Sequence, residues 1–367
     1  YATSMPSSPE SDERSNMEEN VTGEIPQEES ASRMPGFKLT CLKLGIMLVV
    51  IFVSRGVESI LLSLAVNAGM FDLISDNISY LIQTLFSFLF LYIIPLGTAI
   101  LLLKPKGMCS RVYKKPVYFS NAMGMFPAMY GLSFMVNMLT MLVSKLFEDT
   151  DLYKSFNTVN ELKPDNMFCA IVLLVQLVVI APLFEEFWFR GVVMESLRPY
   201  GNGFAIIVSG LLFGLTHANF NQFFYAAVLG ICLGYIAVST KSIVTTTIMH
   251  AMFNGISGLM LLFITFDDVG DYLMGTTDEK SPMVVCYLVF CFIIVMLMIV
   301  GVFMAIAKLR KIRRYKVPRV WDVSAGRRWG IFLSRFTVII ALVLAADTFT
   351  FQFIPQGIYR LLSSLVQ

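Results

Sequence analysis

The chain has 367 residues, 56% of them hydrophobic and 15% charged, with a net charge of +2 and a mean hydropathy of +0.70. Soluble domains are nearer half apolar and a quarter charged. The composition therefore excludes a soluble globule and points to an all-α, polytopic transmembrane bundle.

Residues 1–37 are rich in Glu, Ser, Pro and Asn and read as a disordered cytoplasmic tail. No cleavable signal peptide is expected at the start. Apolar segments near the ~20 residues that a bilayer core requires then follow at 42–64, 78–103, 120–146, 167–189, 203–219, 222–240, 243–264 and 283–307. A ninth, 331–353, is weaker because it holds Arg335 and Asp347. The expectation is eight to nine spans: N-terminal helices over 38–165, a four-helix catalytic core over 166–264, and C-terminal helices with a basic loop over 265–367.

The loops carry the topology. Segment 104–116 holds Lys104, Lys106, Arg111, Lys114 and Lys115 and no acid, and 308–319 holds seven Lys and Arg and no acid. Segments 148–165 and 267–280 are acidic. Under the positive-inside rule the basic loops and the N-terminus are cytoplasmic. This accounts for the basic residues without nucleic acid as a partner. The six cysteines form no CxxC pair and read as small core residues. Gly210-x-x-x-Gly214 and Gly230-x-x-x-Gly234 place small residues one turn apart on two neighbouring spans, a pattern that permits close helix approach.

Arg55 and Glu58, at i,i+3 in the first span, read as ion-pairing with each other or with a neighbour, a place at the substrate entrance being the alternative. Ionisable groups at membrane depth are costly and usually face a bundle interior or a wet cavity. Three patterns of this kind fall within 70 residues: Glu185-Glu186-x-x-x-Arg190, Phe213-x-x-x-His217 and His250-x-x-x-Asn254. The chain has no other histidine. Glu186 and Arg190 are i,i+4 in the order that favours an ion pair, which leaves Glu185 for a cavity as a general base. One carboxylate, two imidazoles and an amide can activate a water and stabilise an oxyanion.

These motifs, read as Glu185-Glu186-Phe187-Trp188-Phe189-Arg190-Gly191, Phe213-Gly214-Leu215-Thr216-His217 and His250-Ala251-Met252-Phe253-Asn254, resemble those of the CPBP intramembrane proteases. That family includes the type II CAAX prenyl endopeptidases and the bacterial proteins called Abi. The resemblance implies Glu185 as the catalytic glutamate, His217 as its partner on water, His250 and Asn254 at the oxyanion, and Glu186 and Arg190 in support. It names no certain cofactor. There is no HExxH, and a zinc ion, if used, would take Glu185, His217 and His250 with an open water position. The expected function is hydrolysis of a peptide bond in a membrane-embedded or lipidated (CAAX-like) protein or peptide precursor. The expected place is the plasma membrane in a bacterium or the endoplasmic reticulum in a eukaryote. The rival readings are a non-catalytic scaffold or immunity protein of the same fold, and a transporter.

Overall fold

A computed structural model of the chain describes residues 27–104, 118–146, 166–276, 281–312, 321 and 323–350. It is all-helical, with no strand among the described residues. Helix α1, Gln27–Asn67, begins inside the segment read from sequence as tail. The reason is local: Phe37 is fully buried and its ring packs on those of Tyr200, Phe204 and Trp321. Residues 1–26 lie outside the described residues.

Helix α2 runs Asp76–Leu103, α3 Phe119–Lys145 and α4 Met167–Tyr200. Asn166 starts α4 by accepting the Cys169 N–H. Helix α5, Asn202–Leu215, follows after Gly201, whose φ of +123° closes α4 sharply. Helix α6, Phe220–Thr240, is capped by Asn219, and α7, Ile243–Ile264, by Ser242. Then come α8, Asp267–Met274, α9, Pro282–Ile312, α10, Ala325–Leu333, and α11, Phe336–Thr350.

Among the described residues seven helices are long and apolar enough to cross a membrane, or eight if the bent pair α10–α11 is one span. The count expected from sequence was higher for two reasons. The segment 203–219 contributes only the 14 residues of α5, about 21 Å at 1.5 Å per residue against a core of roughly 30 Å. The last segment bends by 71° between α10 and α11.

Pairwise contacts fix the direction of each helix. Phe37 near the start of α1 touches Tyr200 at the end of α4. Asn77 and Asn166, at the starts of α2 and α4, share a hydrogen bond. Ser144 near the end of α3 donates to Asn221 near the start of α6. Gly131 of α3 crosses Gly301 of α9 antiparallel. The basic segments 104–116 and 308–319 therefore leave helix ends at one face of the bundle. The acidic segments 148–165 and 267–280 leave ends at the other.

The paired glycines do their work between α5 and α6. A Cβ on Gly230 would come within 2.9 Å of the Gly210 Cα, and one on Gly210 within 2.7 Å of the Ile231 nitrogen. Both neighbours are backbone, which cannot swing aside. Gly230→Val is expected to destabilise the protein by about 1–3 kcal/mol through overpacking. Thermal unfolding in detergent checks this against Gly203→Ala, whose Cβ would meet nothing within 4 Å. Equal midpoints for the two variants would refute the close crossing.

Candidate active site

Helices α4 and α5 form an antiparallel hairpin about Gly201. Phe189 and Phe213, each twelve positions from that turn, meet edge to face, and the Ser209 hydroxyl donates to the Phe189 carbonyl across the same pair of helices. Glu185 and His217 are each sixteen positions from Gly201, so the hairpin brings them to the same depth. The spans 167–189 and 203–219 by themselves put Glu185 near the end of one span and His217 near the end of the next. Helix α4 continues to Tyr200, well past residue 189, so Glu185 lies about four turns before its end. His217 also lies beyond the helical part of 203–219, in the turn before α6, where Ala218 adopts φ +52°.

Glu185 and His217 line one cavity of about 180 Å³, together with Ile51, Arg55, Leu91, Tyr92, Trp188, Phe189, Thr216 and Gln222. The Tyr92 hydroxyl donates to Glu185 Oε1 at 3.0 Å. Tyr92 sits in a π-helical stretch of α2, Leu89–Ile93, and Trp188 and Phe189 in another of α4, Phe187–Met194. Wide turns of this kind recur at functional sites because they re-aim side chains without ending a helix.

His217 Nδ1 lies 2.8 Å from the Phe213 carbonyl. A carbonyl only accepts, so Nδ1 carries the hydrogen, and the neutral ring offers the lone pair of Nε2.

Behind the cavity is a fully buried charged group. Arg190 Nη1 is 3.0 Å from Glu186 Oε1, and both side chains are wholly excluded from solvent. Arg190 Nη2 donates to the Gly230 carbonyl at 3.0 Å, and the guanidinium lies 4.8 Å from the Phe213 ring centroid. Glu186 Oε1 also faces His250 Nδ1 at 3.0 Å. With Glu186 ionised by Arg190, that nitrogen donates, and Nε2 turns toward Glu185 Oε2 at 3.7 Å. His250 thus stands between the two glutamates, hydrogen-bonded to Glu186, and is not among the residues that line the cavity.

Asn254 also stands away from the cavity. Its Nδ2 donates to the Leu177 carbonyl at 2.9 Å. Leu177 belongs to a third π-helical stretch, Gln176–Ile180, in which the Ala181 N–H reaches back five residues to Gln176. The next donor in that series would be Pro182, which has no N–H. Asn254 satisfies the carbonyl that Pro182 leaves without a partner.

Neither Arg55 nor Glu58 turns to the other. Arg55 Nη1 donates to the Thr216 carbonyl at 2.8 Å, and Glu58 accepts from Ser87 at 2.5 Å. Sequence reasoning did not find Tyr92, Trp188 or Gln222. None carries a signal in an apolar chain with 14 tyrosines. Among the described residues no group of three His, Cys, Asp or Glu side chains, Glu185, His217 and His250 included, stands where it could hold one ion.

Fold and site together define a polytopic helical membrane protein with a carboxylate–imidazole cluster buried in its core. Residues 167–256 match the family model described as Type II CAAX prenyl endopeptidase Rce1-like. No curated protein and no solved structure shows significant similarity to the chain.

Proposed function

We propose that the chain is an intramembrane endopeptidase that hydrolyses a peptide bond of a lipidated or membrane-embedded substrate. The observation that carries this reading is the placement of Glu185 and His217 on one cavity within an otherwise apolar bundle. Glu185 takes a proton from a water, and the water oxygen attacks the substrate carbonyl carbon. The tetrahedral intermediate collapses, and Glu185 returns the proton to the departing amine. Tyr92 orients Glu185 by donating to it, while His217 Nε2 holds the water. Glu186 and Arg190 act through His250 by fixing which of its nitrogens carries the hydrogen. Asn254 acts through the shape of α4.

The Rce1-like match supports a CAAX-type substrate, in which the lipid occupies the bilayer and the peptide enters the cavity. The basic face and the N-terminus are assigned to the cytoplasm by the positive-inside rule.

The test is cleavage by the purified full-length protein of a farnesylated peptide ending in a CAAX sequence, compared with its unlipidated form. Cleavage of the lipidated peptide is expected, and it should survive dialysis against EDTA. Loss of activity on dialysis, restored by zinc alone, would return Glu185, His217 and His250 to the role of ligands. Wild-type protein that cleaves neither peptide would refute the CAAX-type reading.

A further inference from the structure

The cavity has six polar side chains: Arg55, Tyr92, Glu185, Thr216, His217 and Gln222. Hydrolysis of a peptide bond places negative charge on the carbonyl oxygen, and that charge is best met by a charged donor. The Tyr92 hydroxyl is directed to Glu185 and the Thr216 hydroxyl to the Phe213 carbonyl. Neutral His217 presents a lone pair. The donors that remain are the Gln222 amide and the Arg55 guanidinium, and only the second is charged.

Arg55 has five N–H groups, one of which holds the Thr216 carbonyl. It takes no part in the ion pairs found among the described residues. His250 and Asn254, the oxyanion donors expected from sequence, do not line the cavity. Arg55 reaches it from α1, outside the segment 167–256 that matches the family model.

We infer that Arg55 is a further catalytic residue, donating from its guanidinium to the oxyanion that forms when water adds to the substrate carbonyl. The inference rests on the endopeptidase reading. In the step, the water O–H bond breaks and its proton goes to Glu185. A C–O bond forms, and the carbonyl π electrons move onto oxygen. There the Arg55 N–H groups hold them until the C–N bond breaks. A terminal carboxylate three residues past the scissile bond would lie roughly 10 Å away. That is a long reach for so small a cavity, so the transition-state role is favoured over anchoring of a substrate end.

The experiment uses the full-length protein in detergent and the farnesylated CAAX peptide. Arg55→Ala is expected to lower kcat by about 10²–10³-fold with KM within about twofold, and Arg55→Lys to recover part of the loss. Added guanidinium ion should raise kcat of Arg55→Ala and leave Arg55→Lys unchanged. Arg55→Ala should also weaken binding of a phosphinic analogue of the peptide while sparing the peptide itself. Because Arg55 also holds the turn that carries His217, Arg55→Ala is combined with His217→Ala. Independent action on the oxyanion predicts that the two losses multiply.

A raised KM with unchanged kcat would overturn the inference in favour of substrate anchoring. A double variant no slower than His217→Ala would reduce Arg55 to a positioning residue. Loss of cleavage in Glu185→Gln with full activity in Arg55→Ala would leave the endopeptidase reading standing and remove this one. Wild type that cleaves no peptide would remove both.

Discussion

Glu185→Gln lowers the cleavage rate by about 10²–10⁴-fold, the range associated with removal of a positioned general base, while KM stays within about twofold. The amide has the shape of the carboxylate. Its oxygen still accepts from Tyr92, and its nitrogen can donate to His250 Nε2, so the cavity keeps its walls. What is lost is the ability to take a proton from water. The measurement is kcat and KM on the farnesylated peptide, with thermal unfolding to show that the variant is folded. Turnover within tenfold of wild type would mean that another group is the base and that Glu185 is part of the wall.

The largest stability effect belongs to Arg190. Arg190→Met leaves Glu186 ionised, buried and without its cation, and loss of one partner of such a pair costs about 3–5 kcal/mol. Both side chains are fully excluded from solvent, so water cannot replace the guanidinium. The unfolding midpoint in detergent should fall sharply and expression should fall with it. Glu186→Gln combined with Arg190→Met should recover at least half of that loss, because no buried charge remains and the amide oxygen still accepts from His250 Nδ1. A single variant as stable as wild type, or a double variant worse than the single, would show that the pair is not the source of stability.

Much of this arrangement was legible in the sequence, for reasons that differ from residue to residue. The helical bundle follows from apolar segments of span length, and the two faces follow from where the lysines and arginines cluster. The Glu186–Arg190 contact is a matter of i,i+4 spacing, and spacing is visible in a string of letters. The place of His217 was not, because a hydropathy window extends across Thr216–Asn219 and cannot see a helix that stops at Leu215. The length of α4 was missed in the same way, since Arg190, Glu195 and Arg198 look like a loop until they are found paired or buried. Asn254 needed the register of the π-helical stretch to reveal its partner, and the contact of Tyr92 with Glu185 spans 93 positions. Arg55 was conspicuous as a cation in an apolar span, but no local pattern says which helix it will face.

The hairpin about Gly201 sets a condition on the gene as well as on the fold. Glu185 and His217 reach one cavity from positions separated from the turn by equal lengths of chain. One residue added to either arm would turn one functional side chain by about 100° and slide it by about 1.5 Å relative to the other. Insertions and deletions in the two arms therefore have almost no neutral options. The reading-frame length between these two codons is thus itself part of the active site.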